Sequence, residues 1–170
     1  MPTVSFINPL DQPLGNKRLL EELRQCLNDP NFDTFGLSVA FVKTGPLLRL
    51  APTLDTWKAS KKRVLAIMGI DLKGTSVQAL EFSLNRFDEI YVTKYSARTF
   101  HPKIYWFSGP QKGCIFIGSN NLTVGGTETN FECCVRLDYD LQTEKNSFDQ
   151  ALLAWKSLLP ATCPATFPLN

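Results

Sequence analysis

His101–Glu132, HPKIYWFSGPQKGCIFIGSNNLTVGGTETNFE, is the stretch on which the reading of this chain turns. HPKIYWFS (His101–Ser108) and CIFIGS (Cys114–Ser119) are rich in aromatic and β-branched residues, and GPQKG (Gly109–Gly113) separates them. Two such runs joined by a short glycine-bearing segment predict a β-hairpin. Side chains two apart on a strand leave the same face, so His101 and Lys103 share one. The antiparallel return brings Ser119 and Asn121 back to the same end of the sheet. An imidazole, an ammonium, a hydroxyl and a carboxamide are thus expected together. Lys103, Ser119 and Asn121 suit the non-bridging oxygens of a phosphodiester and the charge of a five-coordinate transition state. Neutral His101 suits attack on phosphorus, which splits one hard displacement into two easier ones through a phosphohistidine.

Outward from this stretch, the N-terminal half alternates strand and helix patterns. Leu19, Leu20, Leu23 and Leu27 follow Asn16 at helical spacing, and Pro30 stops them. Thr34–Val42 and Arg63–Gly69 read as buried strands, with Gly45–Trp57 as a helix between them despite Pro52. Thr75 and Gln78 have the spacing of a capping box and open a helix carrying Val77, Leu80, Leu84 and Phe87. Glu89–Thr93 is the next strand. Strands separated by helices imply crossover connections, hence an α/β fold with a mixed, largely parallel sheet flanked by helices. Phe131–Asp138 reads as a further strand, and Leu141–Leu159 as a closing helix with Phe148, Leu152, Trp155 and Leu159 on one face. Residues 1–159 are read as one domain, and residues 160–170, with three prolines, as a tail or linker.

Composition narrows the classes. At 170 residues with 44% hydrophobic and 20% charged residues, the chain is an ordinary globular one with a sizeable core. No apolar run has membrane-spanning length and no basic-then-apolar leader opens it, so a cytoplasmic protein without membrane contact is expected. The five cysteines, an odd number without C-x-x-C, read as reduced structural thiols. With one histidine, the chain has no material for a zinc site, and neither a metal nor another cofactor is expected. A net charge of +2 is too small to argue for nucleic acid by itself.

The order H-x-K, hairpin, G-S-x-N and a later glutamate (here His101, Lys103, Gly118, Ser119, Asn121 and Glu132) resembles the phospholipase D superfamily. Within it, G-S-N-N-L-T and the long hairpin look most like nucleases, namely metal-independent restriction endonucleases and nuclease modules found beside helicases. The resemblance implies a phospholipase D-like α/β fold and a metal-independent nuclease, with DNA ahead of RNA as substrate. It implies that Glu132 accepts a hydrogen bond from the second ring nitrogen of His101 and so orients the ring. It also implies a homodimer. The mechanism uses two histidines, one as nucleophile and one as general acid, and this chain has only His101 to contribute. A separate recognition domain or a helicase is a further possible partner. One departure is Ser108, where the superfamily carries an aspartate; this weakens a lipid-enzyme reading more than a catalytic one.

Lys94, Arg98 and Lys112 are expected on loops bordering the site, where they would bind nucleic-acid phosphates, with Tyr95, Phe100, Tyr105 and Trp106 nearby. Three alternatives stand beside this reading. Asp55 with Asp71-Leu72-Lys73 imitates the D…D-x-K of metal-dependent nucleases, although Gly69 and Gly74 put it in a turn rather than a strand. A phospholipid phosphodiesterase would want an amphipathic basic helix, which is not evident. A non-catalytic dimerising nucleic-acid-binding module would not need His101, Lys103, Asn121 and Glu132 together.

Overall fold

The computed structural model describes residues 1–95 and 97–170. In chain order the elements are β1 (Thr3–Ile7), α1 (Asp11–Leu14), α2 (Leu19–Asn28), β2 (Thr34–Val39), α3 (Thr44–Ala59), β3 (Arg63–Gly69), α4 (Val77–Leu84), β4 (Glu89–Thr93), β5 (Lys103–Ser108), β6 (Lys112–Gly118), β7 (Cys134–Asp140), α5 (Lys145–Lys156) and β8 (Thr166–Pro168). The strands form one eight-stranded sheet in the order β1-β7-β6-β5-β2-β3-β4-β8. The α/β class and the mixed sheet are as expected, but the sheet is not largely parallel. The parallel part is confined to β2, β3 and β4, the strands joined by helical crossovers. Every other pairing is antiparallel, because a short turn or a chain reversal supplies it.

Helices lie on both faces. Leu19, Leu23 and Leu27 of α2 pack with Leu47, Leu50, Leu54 and Trp57 of α3 over Phe35, Leu37, Tyr105, Phe107 and Phe116 of the sheet. α3 continues through Pro52, whose cost of about 3 kcal/mol is offset by burying those four side chains. The opposite face carries Ile67, Trp106, Ile115 and Tyr139, and α5 covers it with Phe148, Leu152 and Trp155. Burial pushes the Cys134 thiol up to about 12 and the Cys114 thiol up as well.

Two expectations are corrected here, and one element is new. The tail is not a frayed linker: Thr166–Pro168 pairs with Thr93–Tyr91 as the edge strand β8, anchored by a buried hydroxyl contact of 2.9 Å between Thr93 and Thr166. Thr75 does not cap α4. Its hydroxyl donates to the Gly69 carbonyl at 2.5 Å and accepts from the Val42 amide, while Ser76 accepts from Ala79 as the cap. The short helix α1, with only four residues, was too brief to give a periodic signal.

Candidate active site

Antiparallel pairing fixes which residues meet. β5 runs against both β2 and β6, so the start of β5 lies beside the ends of β2 and β6, with Val39 opposite Lys103 and Ile104 opposite Ile117. Gly118 then pairs with Cys134 at the start of β7. His101, Lys103, Gly118, Ser119, Asn121 and Cys133 line one open cleft of about 460 Å³ at this edge.

His101 is exposed just ahead of β5, and the Lys103 side chain reaches back to it. The ammonium lies 2.7 and 2.9 Å from the two ring nitrogens and donates to the His101 carbonyl at 3.0 Å. A neutral imidazole carries a lone pair on one ring nitrogen only, so the ammonium can donate to one of the two, and which one depends on the tautomer. Lys103 is buried, and desolvation holds its pKa below the ordinary lysine value, opposed by the Glu132 carboxylate. Phe41 stands edge-on to the imidazole with ring centroids 6.4 Å apart. That ring lies against Gly74, where a Cβ would come within 1.7 Å of it.

The two adjacent asparagines do different work. The Asn121 carbonyl oxygen accepts from the Phe41 amide at 3.1 Å, which leaves its NH₂ for the cleft. Asn120 is buried and donates to the Gly126 carbonyl (2.7 Å) and to Gln12 (3.1 Å). Gln12, wholly buried in α1, donates in turn to the carbonyls of Gly125, Gly126 and Asn130 and accepts from the Leu19 amide. Gly126 fits only as glycine, since a Cβ would sit 2.2 Å from the Asn121 carbonyl. Tyr105 adds a bond from its hydroxyl to the Asn120 carbonyl at 3.0 Å. This buried polar knot holds the loop between β6 and β7, and sequence reasoning missed it. A lone glutamine far from the motif carries no signal that it will be buried.

Glu132, expected on the His101 ring, is instead bonded by the Ser119 hydroxyl, with the Asn130 amide at 3.4 Å. The cause is local: the Ser119 amide donates to the Cys133 carbonyl at 3.0 Å, so residues 119 and 132 are neighbours before any side chain is placed. With its proton given to Glu132, Ser119 is not a free donor in this arrangement. Lys103 and Asn121 are the donors facing the cleft. Lys94 and Arg98 line a second cleft on the same edge, where β3 and β4 end. Lys112 does not border the site. It opens β6 at the far edge, about 20 Å along the strand from Gly118, and faces Asp29 at 3.5 Å. Phe100, Tyr105 and Trp106 are buried in the core. The residues of the D…D-x-K alternative have other partners: Asp55 pairs with Arg86 at 2.9 Å, and Asp71 accepts from the Phe100 amide at 3.1 Å.

No family model matches the chain, and no curated protein matches it by sequence. Solved structures do. Nuc, a phospholipase D family member from Salmonella typhimurium, superposes with a TM-score of 0.69 at 11% identity, over 100% of this chain and 99% of that one. NucT from Helicobacter pylori gives 0.65 at 12% identity over 99% and 100%. Phosphatidylserine synthase from Haemophilus influenzae gives 0.61 at 16% identity, over 99% of this chain but 40% of that one. The chain therefore has the phospholipase D fold across its whole described length.

Proposed function

We propose that the chain is a phosphodiesterase that cleaves nucleic-acid backbones, DNA ahead of RNA, with His101 as the nucleophile and no metal ion. The observation that carries this reading is the convergence of His101, Lys103 and the Asn121 amide on one open cleft. His101 attacks phosphorus and the departing alkoxide takes a proton from a general acid. Water then attacks the phosphohistidine and returns the imidazole. Lys103 and Asn121 bind the non-bridging oxygens while charge develops on them. Glu132 acts through Ser119 and the field at Lys103 rather than on the ring.

The general acid is the His101 of a second copy, since the sequence holds one histidine. The sheet face beside the site supports a homodimer. Alternation puts Phe6, Val135, Ile117 and Ile104 in one row on the α5 side; Ile104 is buried in the cluster that α5 covers, whereas Phe6 and Ile117 are exposed. Val4 and Phe6 are about half exposed, an apolar surface contiguous with the cleft. Incubation with labelled DNA, RNA and phosphatidylcholine in excess chelator tests the function: DNA cleavage is expected. Activity that disappears with chelator and returns with magnesium would refute the mechanism. Light scattering across a dilution series, run beside activity, tests the dimer; an active monomer at every concentration sinks the shared site. A recognition domain or helicase partner would supply sequence choice, since phosphate contacts of the kind assigned to Lys103 and Asn121 carry no sequence information.

A further inference from the structure

The second cleft on the catalytic edge, about 420 Å³, has Asp71 and Leu72 on one side and Lys94, Tyr95, Arg98 and Thr99 on the other. It is tied directly to the catalytic residue. Asp71 accepts from the amide of Phe100, the residue before His101, and Arg98 precedes His101 by three positions. Three residues span at most about 11 Å, so the cleft lies within one or two nucleotides of the cleaved phosphate. Among the described residues, neither Lys94 nor Arg98 has a carboxylate within 4.0 Å. Tyr95 is 49% exposed and Leu72 76% exposed. Leu72 is also held at φ 53°, a left-handed backbone that a leucine rarely adopts.

We propose that this cleft is a subsite for one unpaired nucleotide flanking the scissile phosphate, with the base against Tyr95 and Leu72 and its phosphate on Lys94 and Arg98. The proposal rests on the phosphodiesterase reading and narrows it to single-stranded substrate or a locally opened duplex. A base inside a duplex has both faces stacked and cannot lie on a side chain, whereas an unpaired base offers its face to any aromatic ring. The two cations act on either form, because phosphate attraction is indifferent to pairing.

Binding in the His101→Ala chain separates the subsite from the chemistry. A short fluorescent oligothymidylate and a duplex of the same length are the probes. Adding Tyr95→Ala should weaken the single strand about tenfold, the loss of one stacked base, and the duplex less than about twofold; Tyr95→Phe should retain the affinity. Lys94→Ala should weaken both probes and lower the salt slope by about one. Equal losses on both probes from Tyr95→Ala, or no loss on either, overturn the subsite. Should the double variant lose its circular dichroism signature, the Lys94→Ala chain decides, and an unchanged salt slope counts against the cleft. Hydrolysis of bis(4-nitrophenyl) phosphate by the wild-type chain tests the underlying reading separately, because that substrate has no base to stack.

Discussion

Cations at the two ends of the strands meet different partners, although one ion pair, Arg49 with Glu128, stands on the loop beside the cleft. At the hairpin edge, Lys112 faces Asp29, Arg63 faces Glu89 and Lys145 faces Asp149. At the catalytic edge, Lys103 turns to an imidazole, and Lys94 and Arg98 stand beside an open cleft. The exposed pairs of Lys112, Arg63 and Lys145 contribute little to stability, so they are not there chiefly to hold the fold. The contrast is chemical: cations already neutralised cannot serve a phosphate, and cations left without carboxylates can. The lysines of one β-hairpin thus have different fates because its two ends meet different neighbours.

The sharpest test of that contrast is at His101. His101→Ala should lower turnover by roughly 10⁴-fold or more, the scale expected when a nucleophile is removed, with little change in thermal stability because the side chain is exposed. If the proposed shared site holds, mixing the variant with wild-type chains should also lower the activity of the wild-type chains. Turnover near the wild-type rate would show that the two edges do not differ in the way described.

Lys103→Met probes the same edge from the side of stability. Turnover should fall about 10²- to 10³-fold, as for the loss of one transition-state donor. Burial lowers the Lys103 pKa below 10.5 in the folded chain. Between the folded and unfolded values, the unfolded chain binds more protons, so stability rises with pH across that window. Below it, the buried charge opposes folding in full. The methionine variant should therefore be the more stable at pH 7, with Tm up about 2–4 °C for each kcal/mol relieved. That advantage should close as pH approaches 10.5. A variant less stable than wild type at pH 7 would mean that Lys103 is a structural cation like those of the hairpin edge.

Gln12→Ala removes a donor from the Asn130 carbonyl and the acceptor of the Leu19 amide, at about 1–3 kcal/mol for each group left unsatisfied, while the Gly125 and Gly126 carbonyls keep the Asn130 and Asn120 amides. Tm should drop by several degrees. Well below Tm, kcat should fall roughly 10- to 100-fold through displacement of Asn121, with KM nearly unchanged. A loss of stability with kcat intact would confine Gln12 to a role in folding. The smallest effect is expected at Lys112→Ala: a stability change of about 0.5 kcal/mol or less and activity within about twofold. A large activity loss there, measured on the same labelled DNA, would extend the substrate path to the hairpin edge.

Much of the fold was legible beforehand. Arg63–Gly69 and Glu89–Thr93 are strands with the expected limits, because short apolar runs bounded by turns leave few other choices. The convergence of His101, Lys103, Ser119 and Asn121 was legible too, since period-two alternation and one hairpin suffice to bring them together. The partner of Glu132 was not, because it depends on the Ser119–Cys133 backbone bond. Nor was the position of Lys112: a charged residue next to a turn looks the same whichever edge of the sheet the turn occupies.

The sequence by itself determined most of the elements, the hairpin and the side chains that meet at the cleft, all of which follow from local periodicity and residue chemistry. Only the tertiary structure decided that residues 160–170 close the sheet, that Asn120 is buried while Asn121 faces the cleft, and that Gln12 holds their loop from more than a hundred residues away. The physical reason is that buried polar groups must find partners wherever the packed chain supplies them. Which partner is nearest is a property of the folded chain and not of the residue alone.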